Sequence, residues 1–230
     1  MRERAALARG LGAAACVALF VLLVRAILSL PADAQGLAPA MRAGAETVEI
    51  KNVVTAVLLD FRGYDTLLEV AVLMLATVAV LAGRDESAGA IPTLAVRASP
   101  VLTTLASALL PVMVLVTGHL VWVGSSAPGG AFQAGTVLGS GVILLALSGR
   151  LRAGWTGAGA MRVMLAAGLG TFIVVALGPA CAGGVLLEYP PELRKALILF
   201  VEVLLTLSIG ASIGSLFLAS ASGAVGRRDR

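Results

Sequence analysis

The chain alternates between long, unbroken apolar blocks and short polar breaks. Six blocks run at about Leu11–Leu30, Thr66–Gly83, Pro100–Val123, Gly130–Gly149, Met161–Ala182 and Ala196–Ser220. Each is roughly 18 to 25 residues, long enough as a helix to cross a hydrocarbon core of about 30 Å. Apolar residues fill the blocks continuously rather than at every second position, which predicts helices and not the strands of a barrel. The pattern predicts an all-α integral membrane protein of about six transmembrane helices. Arginines ahead of the first block and "LPADAQG" behind it leave a cleaved signal peptide open. Its apolar stretch exceeds the about 7–15 residues usual in such peptides, so a retained helix is expected.

The breaks are as informative as the blocks. Residues Asn52–Leu59 are mostly apolar but too few to span, and Asp60, Arg62 and Gly63 then stop them. A short helix at the outer surface, lying flat or re-entering slightly, fits better than a crossing. Span two is expected to open at Thr66, with Asp65 as its N-cap. Farther on, "GRDESAGAIPTLAVRASP" is polar, contains Gly and Pro, and reads as a connector. It divides the chain into residues 1–98, with two spans and a long outer segment, and residues 99–230, with four spans and tight turns. No internal repeat is evident.

Composition agrees with the pattern. The chain is 59% hydrophobic and 13% charged, with a mean hydropathy of +0.99; soluble domains carry about 25% charged residues. The net charge of +4 does not point to nucleic acid, because no basic face is interleaved with aromatics. Its arginines sit at block ends instead. With both termini cytoplasmic, Arg2, Arg4, Arg9, Arg84, Arg97, Arg150, Arg152, Arg162, Arg227, Arg228 and Arg230 all fall inside, as the positive-inside bias requires. Arg194 and Lys195 fall on the outer side, against the bias. Cys16 and Cys181 lie far apart in apolar surroundings and read as packing residues. There is no metal-ligand spacing and no cofactor motif, so no resident metal, no cofactor and no catalytic residue is expected.

The charges that interrupt apolar blocks are the candidates for chemistry. Glu69 lies four residues after Asp65 and seven after Arg62, which puts the three near one helix face. An acidic pair at that spacing is mildly unfavourable unless Arg62, a neighbouring subunit or a visiting cation supplies positive charge. Glu202 lies about 10 Å into the last span past Lys195. A lone carboxylate there should be protonated, paired or next to water, and ionisable groups inside spans are functional by default. His119, the single histidine, and Arg25 read as ordinary residues, the first held by a carbonyl and the second snorkelling to the interface. The small residues Thr206, Ser208, Gly210, Ser212 and Gly214 suit the last helix to close packing. In "SSAPGGAFQAGTVLGSGVILL", Pro128, Gly129 and Gly130 make a tight turn, and Gly135, Gly139 and Gly141 give the next helix a smooth face.

These stretches bring a family with them. "APGGAFQAGTVLGSGVILL" resembles the signature of the MnhB/MrpB-like subunit of Mrp-type multisubunit cation/proton antiporters. "KNVVTAVLLDFRGYDTLLEVAVLMLATVAVLAG" resembles the segment that closes the large MrpA subunit or forms the small hydrogenase subunit MbhE. Together they imply an MrpA C-terminal piece fused to a four-helix MrpB-like piece. By this resemblance Asp60, Arg62, Gly63, Asp65, Thr66 and Glu69 take the first motif's positions, and Pro128, Gly129, Gly130, Phe132, Gln133 and Gly135 the second's. Glu202 looks similar to an acid in the last helix of hydrogenase-type relatives. Departures are Leu68 and Ala131 at motif glycines, and Ser125 and Ser126 where a histidine often stands.

The resemblance implies a subunit of an Na+/H+ antiporter in the cytoplasmic membrane, with other membrane subunits, Na+, H+ and lipid as partners. Glu69, Glu202, Asp65, Asp60 and Arg62 are then candidates for the ion or proton path. Two alternatives stay open: a membrane-arm subunit of a redox-driven pump, and a scaffold that conducts nothing.

Overall fold

The computed structural model describes residues 2–30, 39, 50–83, 99–151 and 158–225, and every extended element among them is helical. The connector at residues 84–97 and most of the outer segment before Ile50 lie outside the described residues, as do Arg152 and the last three arginines. The chain forms two compact units, residues 1–43 and 44–230. The first holds helix α1 (Arg2–Leu28), in which Gly10–Leu28 is long and apolar enough to span. Cys16 and Arg25 are exposed on it.

The first helix among the described residues of the second unit is the one-turn α2 (Val53–Thr55), which runs straight into a π-helical stretch, Ala56–Phe61. Then come α3 (Gly63–Ala82), α4 (Pro100–Val123), α5 (Ala131–Leu147), α6 (Ala158–Cys181) and α7 (Arg194–Val225). The segments in α3, α4, α6 and α7 are of spanning length and hydropathy, making five with α1. The sixth expected span, α5, has only 17 residues, at the lower limit for a crossing. Its ends explain the shortfall: Gly130 and Gly149 both have positive φ, +105° and +68°, and interrupt the helix on either side.

Helix α7 is the hub and packs against α3, α4, α5 and α6. Small residues let it come close. A Cβ on Gly135 or Gly139 of α5 would fall 2.7 or 2.8 Å from Ile209 or Ile213 of α7. In return Gly210 and Gly214 of α7 receive Leu138 and Val142 of α5. This reciprocal fit is how spans associate where lipid removes any hydrophobic difference. Gly141 points elsewhere, toward Leu110 and Met113 of α4. On the far side, Ser208 donates to the Leu165 carbonyl of α6 at 2.7 Å, beside Gly168.

Candidate functional site

The end of the bundle that carries the starts of α3, α5 and α7 is built on the residues before α3. Asn52 caps α2, its Oδ1 accepting from the Val54 N–H at 3.1 Å. The following helix widens into π geometry and stops at Arg62, whose N–H donates to the Val57 carbonyl at 2.7 Å. Thr66 closes the joint from the next helix: its hydroxyl donates to the Leu58 carbonyl at 2.6 Å, one of the acceptors a helix end leaves open. The short non-spanning helix expected here is therefore present. Helix α3, however, starts at Gly63 rather than Thr66, so Asp65 lies within its first turn and is not the N-cap. A Cβ on buried Gly63 would sit 3.2 Å from the side chain of Leu187, itself held at φ +66° with its N–H on the Ala176 carbonyl.

The charges sort into three places. Arg62 pairs with Asp65 at 2.6 Å on the exposed surface, where such a pair adds little stability. That leaves Arg62 with Asp65 as its partner rather than Glu69. Asp60 faces Arg194 at the start of α7, 3.6 Å away, with only 11% of its side chain exposed. Arg194 thus has an acidic partner at the end of the π-helical stretch. Burial pushes the Asp60 carboxyl above its ordinary range, and Arg194 pulls it partly back. Tyr189, 2% exposed, is pushed up to about 12 by burial and then by the nearby Asp60.

The third place is a cavity of about 250 Å³. Glu69 and Thr66 of α3 line one wall, Glu202 of α7 another, and Gly130, Phe132 and Gln133 at the start of α5 a third. Two acids far apart in sequence thus share one space. Glu69 is exposed, whereas Glu202 is 2% exposed. The backbone N–H of Ala131, the first residue of α5, lies near the Glu202 carboxylate. Its Oε1 lies against Gly124 and Gly130, where added Cβ atoms would stand 3.2 and 2.8 Å away. Its Oε2 has no hydrogen-bond partner among the described residues. Neither acid has a cationic side chain beside it among those residues. What adjoins Glu202 is a cavity with room for water or a small hydrated ion.

Other expected residues stand apart. Asp60, Arg62 and Asp65 do not line the cavity, and neither does His119, which is exposed on α4. Pro128 is exposed at the turn, and Gly135 serves the α5–α7 contact. Asn52, Tyr189 and the pairing role of Arg194 escaped sequence reasoning. A polar residue directly before an apolar run marks Asn52 as a cap, but its contacts more than 70 positions away leave no local trace.

Residues 2–85 match the MbhE family, described as one of the subunits of MBH. Among curated proteins, none matches the chain by sequence. Among solved structures, the chain is similar to part of an Mrp complex from Dietzia sp. DQ12-45-1b, with 25% identity and a TM-score of 0.59. That likeness covers 91% of this chain but 25% of the other, so this chain spans about a quarter of its length. It also shares the fold of a chain of the membrane-bound sulfane sulfur reductase, an archaeal respiratory membrane complex. There the identity is 22%, the TM-score 0.67, and the coverage 93% of this chain and 98% of the other. Residues 101–219, more than half of the sequence, match a further family, and the chain belongs to it: domains related to the MnhB subunit of the Na+/H+ antiporter.

Proposed function

We propose that this chain is a multi-pass subunit of an Mrp-type antiporter of the cytoplasmic membrane, exchanging Na+ for H+ together with other membrane subunits. Residues 1–98 and 99–230 act as its two modules, and Glu69 and Glu202 contribute to the ion path. One observation carries the reading: an acid from each module opens onto the same cavity, beside the amide of Gln133. The two carboxylates alternate between holding a proton and facing a hydrated cation. Thr66 and the amides at the start of α5 shape the wall between them. Asp60, Arg62 and Asp65 set the outer end of the site rather than the path itself.

The test is Na+-dependent proton movement in membrane vesicles carrying the assembled complex with Glu69→Gln or Glu202→Gln. Each variant is expected to assemble and to lose most transport. If both transport normally, the chain is a scaffold. The respiratory-complex fold, covered nearly end to end, favours a second reading in which the same helices serve a redox-driven pump. Co-purification of iron–sulfur subunits with this chain would establish that reading in place of the antiporter.

A further inference from the structure

The residue that holds the turn before α5 comes from the other module. The Asn52 backbone N–H donates to the Ser125 carbonyl at 3.1 Å. Its side-chain amide nitrogen lies 2.7 Å from the Gly124 carbonyl and 2.8 Å from the Ala127 carbonyl. Thr55, three residues on and buried, adds its hydroxyl to the Gly124 carbonyl at 2.6 Å. Together they occupy three carbonyls of the turn that follows α4, Gly124, Ser125 and Ala127. The held turn is also the one that closes over Glu202: Gly124 and Gly130 back onto Oε1, where Cβ atoms would stand 3.2 and 2.8 Å away. The Gly130 N–H in turn donates to the Leu120 carbonyl at 2.9 Å, so the loop is tied at both ends.

We propose that Asn52 is a positioning residue for Glu202, clamping the Gly124–Gly130 turn so that the backbone of Gly124 and Gly130 stays packed over the carboxylate. Its consequence for transport rests on the antiporter reading; its consequence for the exposure of Glu202 does not. The two shortest contacts of the amide nitrogen are to the turn, with Thr55 Oγ1 farther off at 3.1 Å, and they distinguish this role from simple capping. The cap uses Oδ1 and the clamp uses Nδ2.

That division supplies the experiment. Asn52→Asp keeps the cap acceptor and removes the clamp donors; Asn52→Ala removes both. Thr55→Val is a milder variant that removes one hydrogen bond to Gly124. The readout is modification of Glu202 by a water-soluble carbodiimide in the assembled complex, mapped by peptide mass, with Glu69 as internal reference. Both Asn52 variants are expected to raise labelling of Glu202 by roughly three- to tenfold, the weight of one or two hydrogen bonds, with Thr55→Val between them and the wild type. They also raise the apparent KM for Na+ more than they lower the maximal rate. Wild-type labelling in Asn52→Asp reduces Asn52 to a cap and overturns the proposal. Wild-type labelling in Thr55→Val as well as Asn52→Asp overturns the clamp altogether. Raised labelling combined with normal transport in Glu202→Gln upholds the clamp and overturns the antiporter role of Glu202.

Discussion

Glu202 Oε1 packs against the bare backbone of Gly130, where a Cβ would be 2.8 Å from it and one of the two would have to shift. The last helix thus touches the bare backbone that begins α5. Gly130 also has φ +105°, a region that L side chains rarely adopt.

Gly130→Ala is therefore expected to be harmful on two counts. Backbone strain of about 1–3 kcal/mol adds to a methyl group driven against the carboxylate. The extracted complex should melt at lower temperature, and Na+-dependent transport should fall. Unchanged melting and transport would mean that the turn is not held against Glu202.

Close packing of α5 on α7 gives a compensation test. A methyl on Gly135 would stand 2.7 Å from Ile209 Cβ, so Gly135→Ala should destabilise the chain, as overpacking does by about 1–3 kcal/mol. Ile209→Ala alone should cost about 2–5 kcal/mol through the space it leaves. The double variant should lose less than the sum of the two, read as Tm in detergent. Strict additivity would count against the contact.

Asp60 sets a pH dependence whose sign follows from its environment. Burial raises its carboxyl above the ordinary 3.8, so the fold favours the protonated acid. That contribution is full below the unfolded value and is lost as pH rises through the folded one. Arg194 opposes burial, so Arg194→Gln should move the loss to higher pH, and Asp60→Asn should abolish it. Thermal melts across the acidic range check this, and a step unmoved in Arg194→Gln would contradict it.

Tyr189 gives a separate alkaline signature. Its phenol is pushed from 10.0 to about 12, first by burial and then by Asp60. The stability it contributes is full below 10.0 and is lost as pH rises through about 12. Ultraviolet titration should show a late tyrosine that Tyr189→Phe removes and Asp60→Asn shifts downward. A late phase surviving in Tyr189→Phe would assign it elsewhere.

Orientation can be checked at two exposed positions, Ser126 and Arg150. In a background lacking Cys16 and Cys181, a cysteine at Ser126 should react with an impermeant thiol reagent from outside intact cells. One at Arg150 should react only after the membrane is opened. The opposite pattern would invert the topology.

Much of the architecture was legible because it is local. Block length and hydropathy depend on the solvent around each segment, so α3, α4, α6 and α7 appear near their expected positions. Asn52–Leu59 was readable as a short helix because too few apolar residues precede the charged stop. Glu69 and Glu202 stood out because acids inside oily runs are costly wherever those runs lie. Asp65 was misplaced because a cap and a first-turn acid look alike along the chain, and the π-helical stretch moved the true start to Gly63.

The sequence alone determined the class of molecule, the rough position and length of most of the described helices, and which acids needed explaining. These follow from how each residue meets lipid or water, which nearest neighbours can report. Only the tertiary structure decided that Glu69 and Glu202 share a cavity, that Arg194 answers Asp60, and that Asn52 holds the turn over Glu202. Each of these depends on which helix faces which. That is set by the glycine-lined fit of α7 among its neighbours, a property of the packed bundle and of no single stretch of chain.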